Sequence, residues 1–257
     1  MYKTLLIFKS LLIIYLLLVI ALYLLQRKMI YKPTPYIKHG FETFKFTHQE
    51  QTSEALLTQP AKDKVIIYYG GNAENIIYSA PDFENHFPDY STYMLKYRGY
   101  SGALGKPTET NLYADALALY DQVNKQYKHI TVIGKSLGSG VATYVASERK
   151  VDKLVLVTPF DSIKAVAQGL FPFFPIKWLI KDPHDSKSRA ARITAPTLVI
   201  IADEDRVVPM ARTKSLLESL PDKGLEVVTL NAGHNDLDLV PGYYSSIQQF
   251  IHQKEGS

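Results

Sequence analysis

Ser136 stands in Gly134-Lys135-Ser136-Leu137-Gly138, the pattern Gly-x-Ser-x-Gly. An apolar strand-like stretch, 129–135, leads into it, and a helix-like stretch, 137–149, follows with Val141, Ala142 and Val145 on one side. Strand, sharp turn, helix is the context in which this pattern exposes a serine as a nucleophile. The flanking glycines suit that turn, because a side chain at either would collide with neighbouring backbone. Read instead as a phosphate loop, the stretch lacks the lysine spacing of a P-loop, and no second glycine motif supports a dinucleotide.

A serine hydroxyl needs a base to lose its proton at neutral pH. Of seven histidines, His234 is in the right place: Asn231-Ala232-Gly233-His234-Asn235-Asp236 directly follows the last strand-like run, 225–230. His252 falls in a terminal helix and is expected at the surface, and His129 abuts a strand start. The base in turn needs a carboxylate to hold its tautomer. The loop Ala202-Asp203-Glu204-Asp205-Arg206-Val207-Val208-Pro209 offers three acids. Asp205 is the choice, because the chain turns there; Asp203 is the second candidate, and Glu204 is expected in solvent. The order Ser136, Asp205, His234 is that of a serine hydrolase built on an α/β sheet.

Attack on a carbonyl creates an oxyanion that two backbone N–H groups must hold. Leu137 N–H, just after the nucleophile, is one candidate. Asn72 N–H, in the loop Gly70-Gly71-Asn72-Ala73-Glu74-Asn75, is the other; the alternative for Asn72 is the N-cap of a following helix, and the two roles are compatible.

The elements that must hold these residues alternate. Strand-like runs fall at 64–70, 92–98, 129–135, 153–158, 196–202 and 225–230, and helix-like runs at 108–126, 137–149, 210–220 and 242–253. Leu112, Ala116, Leu119 and Val123 recur at helical spacing. Continuous apolar strands between helices indicate an α/β fold, a mostly parallel central sheet flanked by helices. The more polar 41–57 has room for one or two antiparallel edge strands. The stretch 161–192, with Phe171, Phe173, Phe174, Trp178 and three prolines, is too long for a plain crossover and reads as a small cap insertion over the sheet's carboxyl edge.

Residues 5–25 are apolar apart from Lys9 and Ser10. About 20 such residues cross a bilayer core, with Lys9 snorkelling toward one end. The run is followed by Gln26-Arg27-Lys28-Met29, a poor cleavage site for a signal peptide. It reads as an N-terminal transmembrane helix, a single-pass anchor within a flank 1–32, leaving 33–257 as the hydrolase domain. Positive charge is nearly balanced across the run, so the side the domain faces stays open.

The 257 residues are 46% hydrophobic and 21% charged, enough for a packed core. The net charge of +4 is not gathered into a stripe, which argues against nucleic-acid binding. Absence of cysteine excludes disulfides, thiolate chemistry and Cys-ligated metal.

The chain resembles the Bem46-like branch of the α/β-hydrolase superfamily. The resemblance is carried by Gly71-Asn72-Ala73-Glu74-Asn75, Tyr97-Arg98-Gly99-Tyr100-Ser101-Gly102, Gly105-Lys106-Pro107-Thr108-Glu109, 134–140, Pro159-Phe160-Asp161-Ser162, 205–209 and Gly233-His234-Asn235-Asp236, in order over residues 64–240. It implies a serine hydrolase of esters, thioesters or related acyl compounds, without metal or cofactor, and an N-terminal membrane anchor. Two positions depart from the pattern: Gly70 stands where the oxyanion loop usually begins with histidine, and Lys135 where arginine is frequent. Arg98 is expected to pair with a nearby acid rather than touch substrate.

The function expected is therefore cleavage of a small-molecule or lipid acyl substrate through an acyl-enzyme. One alternative is a serine peptidase, which would need an anchor for a peptide terminus; Asp182 and Asp185 would be the pair, but both are expected in solvent. The other is a non-catalytic membrane-bound binding protein.

Overall fold

The computed structural model describes residues 2–48 and 50–253; residue 1 of the expected anchor and 254–257 of the expected domain lie outside it. The elements are α1 (Tyr2–Ile30), β1 (Glu42–His48), β2 (Gln51–Thr58), β3 (Lys64–Tyr69), α2 (Ile76–His86), β4 (Tyr90–Lys96), α3 (Glu109–Val123), β5 (Ile130–Lys135), α4 (Leu137–Glu148) and β6 (Lys153–Val157). They continue with α5 (Ile163–Leu170), α6 (Ile176–Leu179), α7 (Lys187–Ala190), β7 (Thr197–Ala202), α8 (Met210–Leu217), β8 (Leu225–Leu230) and α9 (Tyr243–His252). The expected helices and strands are present with ends shifted by a few residues. α2, raised only as the helix Asn72 would cap, has a pattern weakened by Pro81 and its short length, and the short helices α5, α6 and α7 of the cap stretch were not among the expected runs.

The strands form one sheet in the order β1-β2-β4-β3-β5-β6-β7-β8. β1 pairs with β2, and β2 with β4, antiparallel; the pairings from β4 through β8 are parallel. The polar stretch 41–57 thus supplies two antiparallel strands at one edge.

Alternation along the strands divides the core between two faces. Val65, Ile67 and Tyr69 join one cluster with Leu112, Ala116, Leu119 and Val123 of α3 and Val141, Ala142 and Val145 of α4. Ile66 and Tyr68 join the other, with α2 and α9. Central strands β6 and β7 are buried throughout, which explains their unbroken apolar sequence. Arg98 pairs with Asp115 through two hydrogen bonds of 2.8 and 2.7 Å, and Ser53 donates to the same carboxylate, so this cation ties the β4 end to α3 and the edge hairpin.

Between β6 and β7 the chain leaves the sheet for α5, α6 and α7. This segment runs along α1 in step with it. Tyr15 Oη donates to Phe173 O, Gln26 bonds Leu179 O and Lys181 N, Arg27 pairs with Asp182, and Tyr31 Oη lies 3.0 Å from His184 Nε2.

Candidate active site

Gly134 and Gly138 are required by the turn between β5 and α4. A Cβ on Gly134 would lie 2.3 Å from Gly138 O, and one on Gly138 only 1.9 Å from Tyr69 O, both backbone atoms that cannot swing away. Between them Ser136 has φ 51° and ψ −116°, a left-handed conformation that costs a non-glycine residue roughly 1–3 kcal/mol. Its N–H donates to Val157 O at 2.9 Å, and its carbonyl accepts from Ser139 N and Oγ, which locks the turn.

His234 Nε2 lies 2.8 Å from Ser136 Oγ, and its Nδ1 lies 2.7 Å from Asp205 Oδ2. The carboxylate only accepts, so Nδ1 carries the hydrogen and Nε2 is free to take one from the serine. Asp205 Oδ1 accepts from both Val207 N and Val208 N at 2.8 Å. Burial works to raise the Asp205 carboxyl, but the bonds from His234, Val208 and Val207 outweigh it and hold the group below its ordinary value. Asp203 faces elsewhere: its Oδ1 accepts from Ala232 N, and it and Glu204 are exposed.

Leu137 and Asn72 both border the pocket at Ser136. Neither backbone N–H donates to another described residue in the turns and caps around them. The Asn72 side chain does not cap α2; Asn75 does, accepting from Ile77 N. Instead, Asn72 Nδ2 donates to Ile30 O, and its Oδ1 accepts from Lys32 N and Tyr100 Oη. A capping side chain must reach back to its own helix's first turn, and residue 72 is too far ahead of Ile76 to do so.

The pocket itself measures about 500 Å³. Its polar end is Ser136, His234, Asn72 and Asn235; apart from Gln26 the rest is apolar, chiefly from α5 (Ile163, Val166, Ala167, Leu170), from α6 and from the last turns of α1 (Leu22, Met29, Ile30). Among the described residues no group of three or more His, Asp or Glu side chains is arranged to hold a metal.

No family model matches the chain. An uncharacterized protein of Mycobacterium tuberculosis (strain H37Rv) is 35% identical over 167 residues, 63% of this chain and 59% of that protein. α/β hydrolase domain-containing protein 17C of Homo sapiens is 31% identical over 165 residues, 62% of this chain and 48% of the relative. Among solved structures, the esterase Pf2001 of Pyrococcus furiosus superposes with a TM-score of 0.68 at 19% identity, covering 88% of this chain and 100% of the esterase. The chain has the α/β-hydrolase fold. The Bem46-like branch read from its motifs agrees with these relatives. The chain spans about half to three-fifths of the length of the curated relatives it matches.

Two features of the site were not read from sequence. Glu74 organises the loop before Asn72: its carboxylate accepts from Gly71 N at 2.6 Å, from Tyr68 Oη and from Ser79 Oγ. With Gly70 in place of histidine, the loop is held through Gly70 O, which accepts from Tyr97 Oη. The second is the wall supplied by α1. The sequence carried no signal for it, since residues 31–41 separate the end of α1 from β1.

Asp182 corrects an expectation. It is buried, 1% exposed, and its carboxylate accepts from Arg27 and from Glu109 N. Asp185 is half-buried against Lys164. The sequence showed only their polarity; the partner of Asp182 lies 155 positions away.

Proposed function

We propose that this α/β-hydrolase is a serine hydrolase that cleaves an acyl ester or thioester through a covalent acyl-enzyme. The observation that carries the reading is the hydrogen-bonded chain Ser136–His234–Asp205, 2.8 and 2.7 Å, set on the strained turn at Ser136. Ser136 Oγ attacks the acyl carbonyl carbon as its proton passes to His234 Nε2. Asp205 stabilises the resulting imidazolium through Nδ1–H. Leu137 and Asn72 N–H groups hold the oxyanion. Collapse expels the alcohol or thiol, which takes the proton from His234. Water then attacks the acyl carbon as His234 takes its proton, the bond from that carbon to Ser136 Oγ breaks, and the proton passes from His234 to Oγ as the acid leaves.

The apolar pocket supports an acyl chain as the part bound. A peptidase reading loses its support with Asp182, whose carboxylate is engaged by Arg27 and Glu109 N.

Ser136→Ala is expected to abolish ester turnover and covalent labelling by a fluorophosphonate, while circular dichroism and melting temperature stay near those of the parent. The variant relieves the turn of no essential contact, since the serine's backbone bonds are retained. Undiminished turnover by Ser136→Ala would remove the assignment.

A further inference from the structure

Residues 5–25 form the apolar run of α1, and Tyr15 is its midpoint. Tyr15 is also where the tip of the β6–β7 segment touches the helix: its Oη donates to Phe173 O at 3.0 Å, and its ring stacks on Phe174 at 5.4 Å. At 1.5 Å per residue, Tyr15 lies about 15 Å beyond Leu25, half the roughly 30 Å thickness of a bilayer's hydrocarbon core. A helix that spans with this run therefore carries the tip into the acyl-chain layer beside it.

The tip is built for that medium. Residues 165–176 carry no charge. Leu170, Phe173 and Trp178 are 70%, 86% and 76% exposed, a group of large apolar side chains left uncovered by the described residues. Backbone polar groups in lipid must be satisfied within the protein, and here every carbonyl from Phe171 to Pro175 is taken. Gln168 Nε2 lies 3.3, 3.5 and 3.1 Å from Phe171 O, Pro172 O and Phe174 O; Tyr15 serves Phe173 O, and Trp178 N serves Pro175 O. Pro172 and Pro175 have no N–H to satisfy. Lys177 at the end of the tip and Lys181 just beyond it hold their ammonium groups over the rings of Trp178 and Tyr23, as cations at a headgroup boundary would lie.

The pocket that ends at Ser136 runs between this segment and α1, with Leu22, Met29, Leu170 and Phe171 in its walls. We propose that the tip 170–178 is immersed with α1 in one leaflet of a bilayer, and that the pocket draws the acyl chain of an ester lipid from that leaflet. The second half rests on the reading of Ser136 as nucleophile; the first does not.

Trp178 is the chain's one tryptophan, so its emission reports the tip without any substitution. The full chain would be reconstituted into phosphatidylcholine vesicles with and without acyl-brominated phosphatidylcholine. The expected result is loss of more than half of the emission in brominated lipid, with acrylamide quenching several-fold weaker than for tryptophan in water. Full acrylamide quenching with no effect of bromine would overturn the immersion.

The lipid half is read from Phe173→Asp, a residue outside the pocket walls. Hydrolysis of a long-chain ester embedded in vesicles is expected to fall at least tenfold, and that of a dissolved short-chain ester to stay within twofold. Equal loss on both, or on neither, would overturn delivery from the leaflet. If the parent chain cleaves neither ester and takes no fluorophosphonate, the serine-hydrolase reading itself has failed and the acyl half goes with it, while the quenching still decides the immersion.

Discussion

Asp203 and Asp205 stand two positions apart in one loop and do different work. Asp205 takes His234 on one oxygen and two backbone N–H groups on the other, whereas Asp203 takes the Ala232 N–H. Replacing a carboxylate that orients a catalytic histidine lowers kcat by about 10⁴ where this has been measured in a serine protease, because the wrong tautomer is stabilised. Asp205→Asn is expected to lose on the order of 10³–10⁴ in kcat with its fold intact, and Asp203→Asn less than about tenfold, both measured on one ester. Comparable losses in the two variants would reopen the choice of acid. Asp205 was preferred in the sequence because the chain turns there, and the two N–H bonds are that turn. What the residue string did not contain is the direction of each carboxylate.

At the scale of elements, the junction of α1 with the β6–β7 segment is a polar contact inside apolar surroundings. His184 is fully buried, with Tyr31 Oη on Nε2 and no hydrogen-bond partner on Nδ1 among the described residues. Burial pushes its pKa down to about 3 from an ordinary 6.5, ahead of the opposing pull of Asp182. The unfolded chain thus takes up a proton on this residue below about pH 6.5, while the folded chain refuses it until about 3. The stability present above pH 6.5 is lost as pH falls through that window, with a slope approaching about 1.4 kcal/mol per pH unit. His184→Gln, which cannot charge, is expected to flatten that part of the melting-temperature profile, measured between pH 6.5 and 4.5 in detergent. An unchanged slope would place the acid sensitivity in other groups. The helical period of α3 and α4 and the continuous apolar runs of β3 to β7 were readable, since each element carries its own pattern locally. This junction was not readable, because it joins residues more than 150 positions apart.

For the whole molecule, the anchor expected as a separate flank contributes to the site. Tyr31 is 2% exposed in the main core, Asn72 bonds Ile30 O and Lys32 N, and Leu22, Met29 and Ile30 border the pocket. A chain beginning at residue 22 keeps these contacts, and one beginning at residue 33 loses them. The first is expected to retain fluorophosphonate labelling at Ser136 in detergent. The second forfeits a buried tyrosine and leaves the Asp182 carboxylate without its cation, a loss of roughly 5 kcal/mol against a total stability of about 5–15. It should melt far lower or fail to fold. Equal melting temperatures for the two would make the helix end a passive tether.

The sequence by itself determined the α/β layering, the turn at Ser136 and, after it in chain order, an acid from the loop 203–205 with Asp205 preferred, and His234. Those follow from local rules: side-chain period, the glycines a tight turn demands, and a histidine and an acid each placed just after a strand. Tertiary structure alone decided that Asp182 is buried, that Asn72 fastens the end of α1 rather than capping α2, and that the pocket has a wall from the N-terminal helix. Each of these depends on packing between segments far apart in the chain, where desolvation and a single well-aimed partner decide a side chain's role, and neither leaves a periodic trace in the residues themselves.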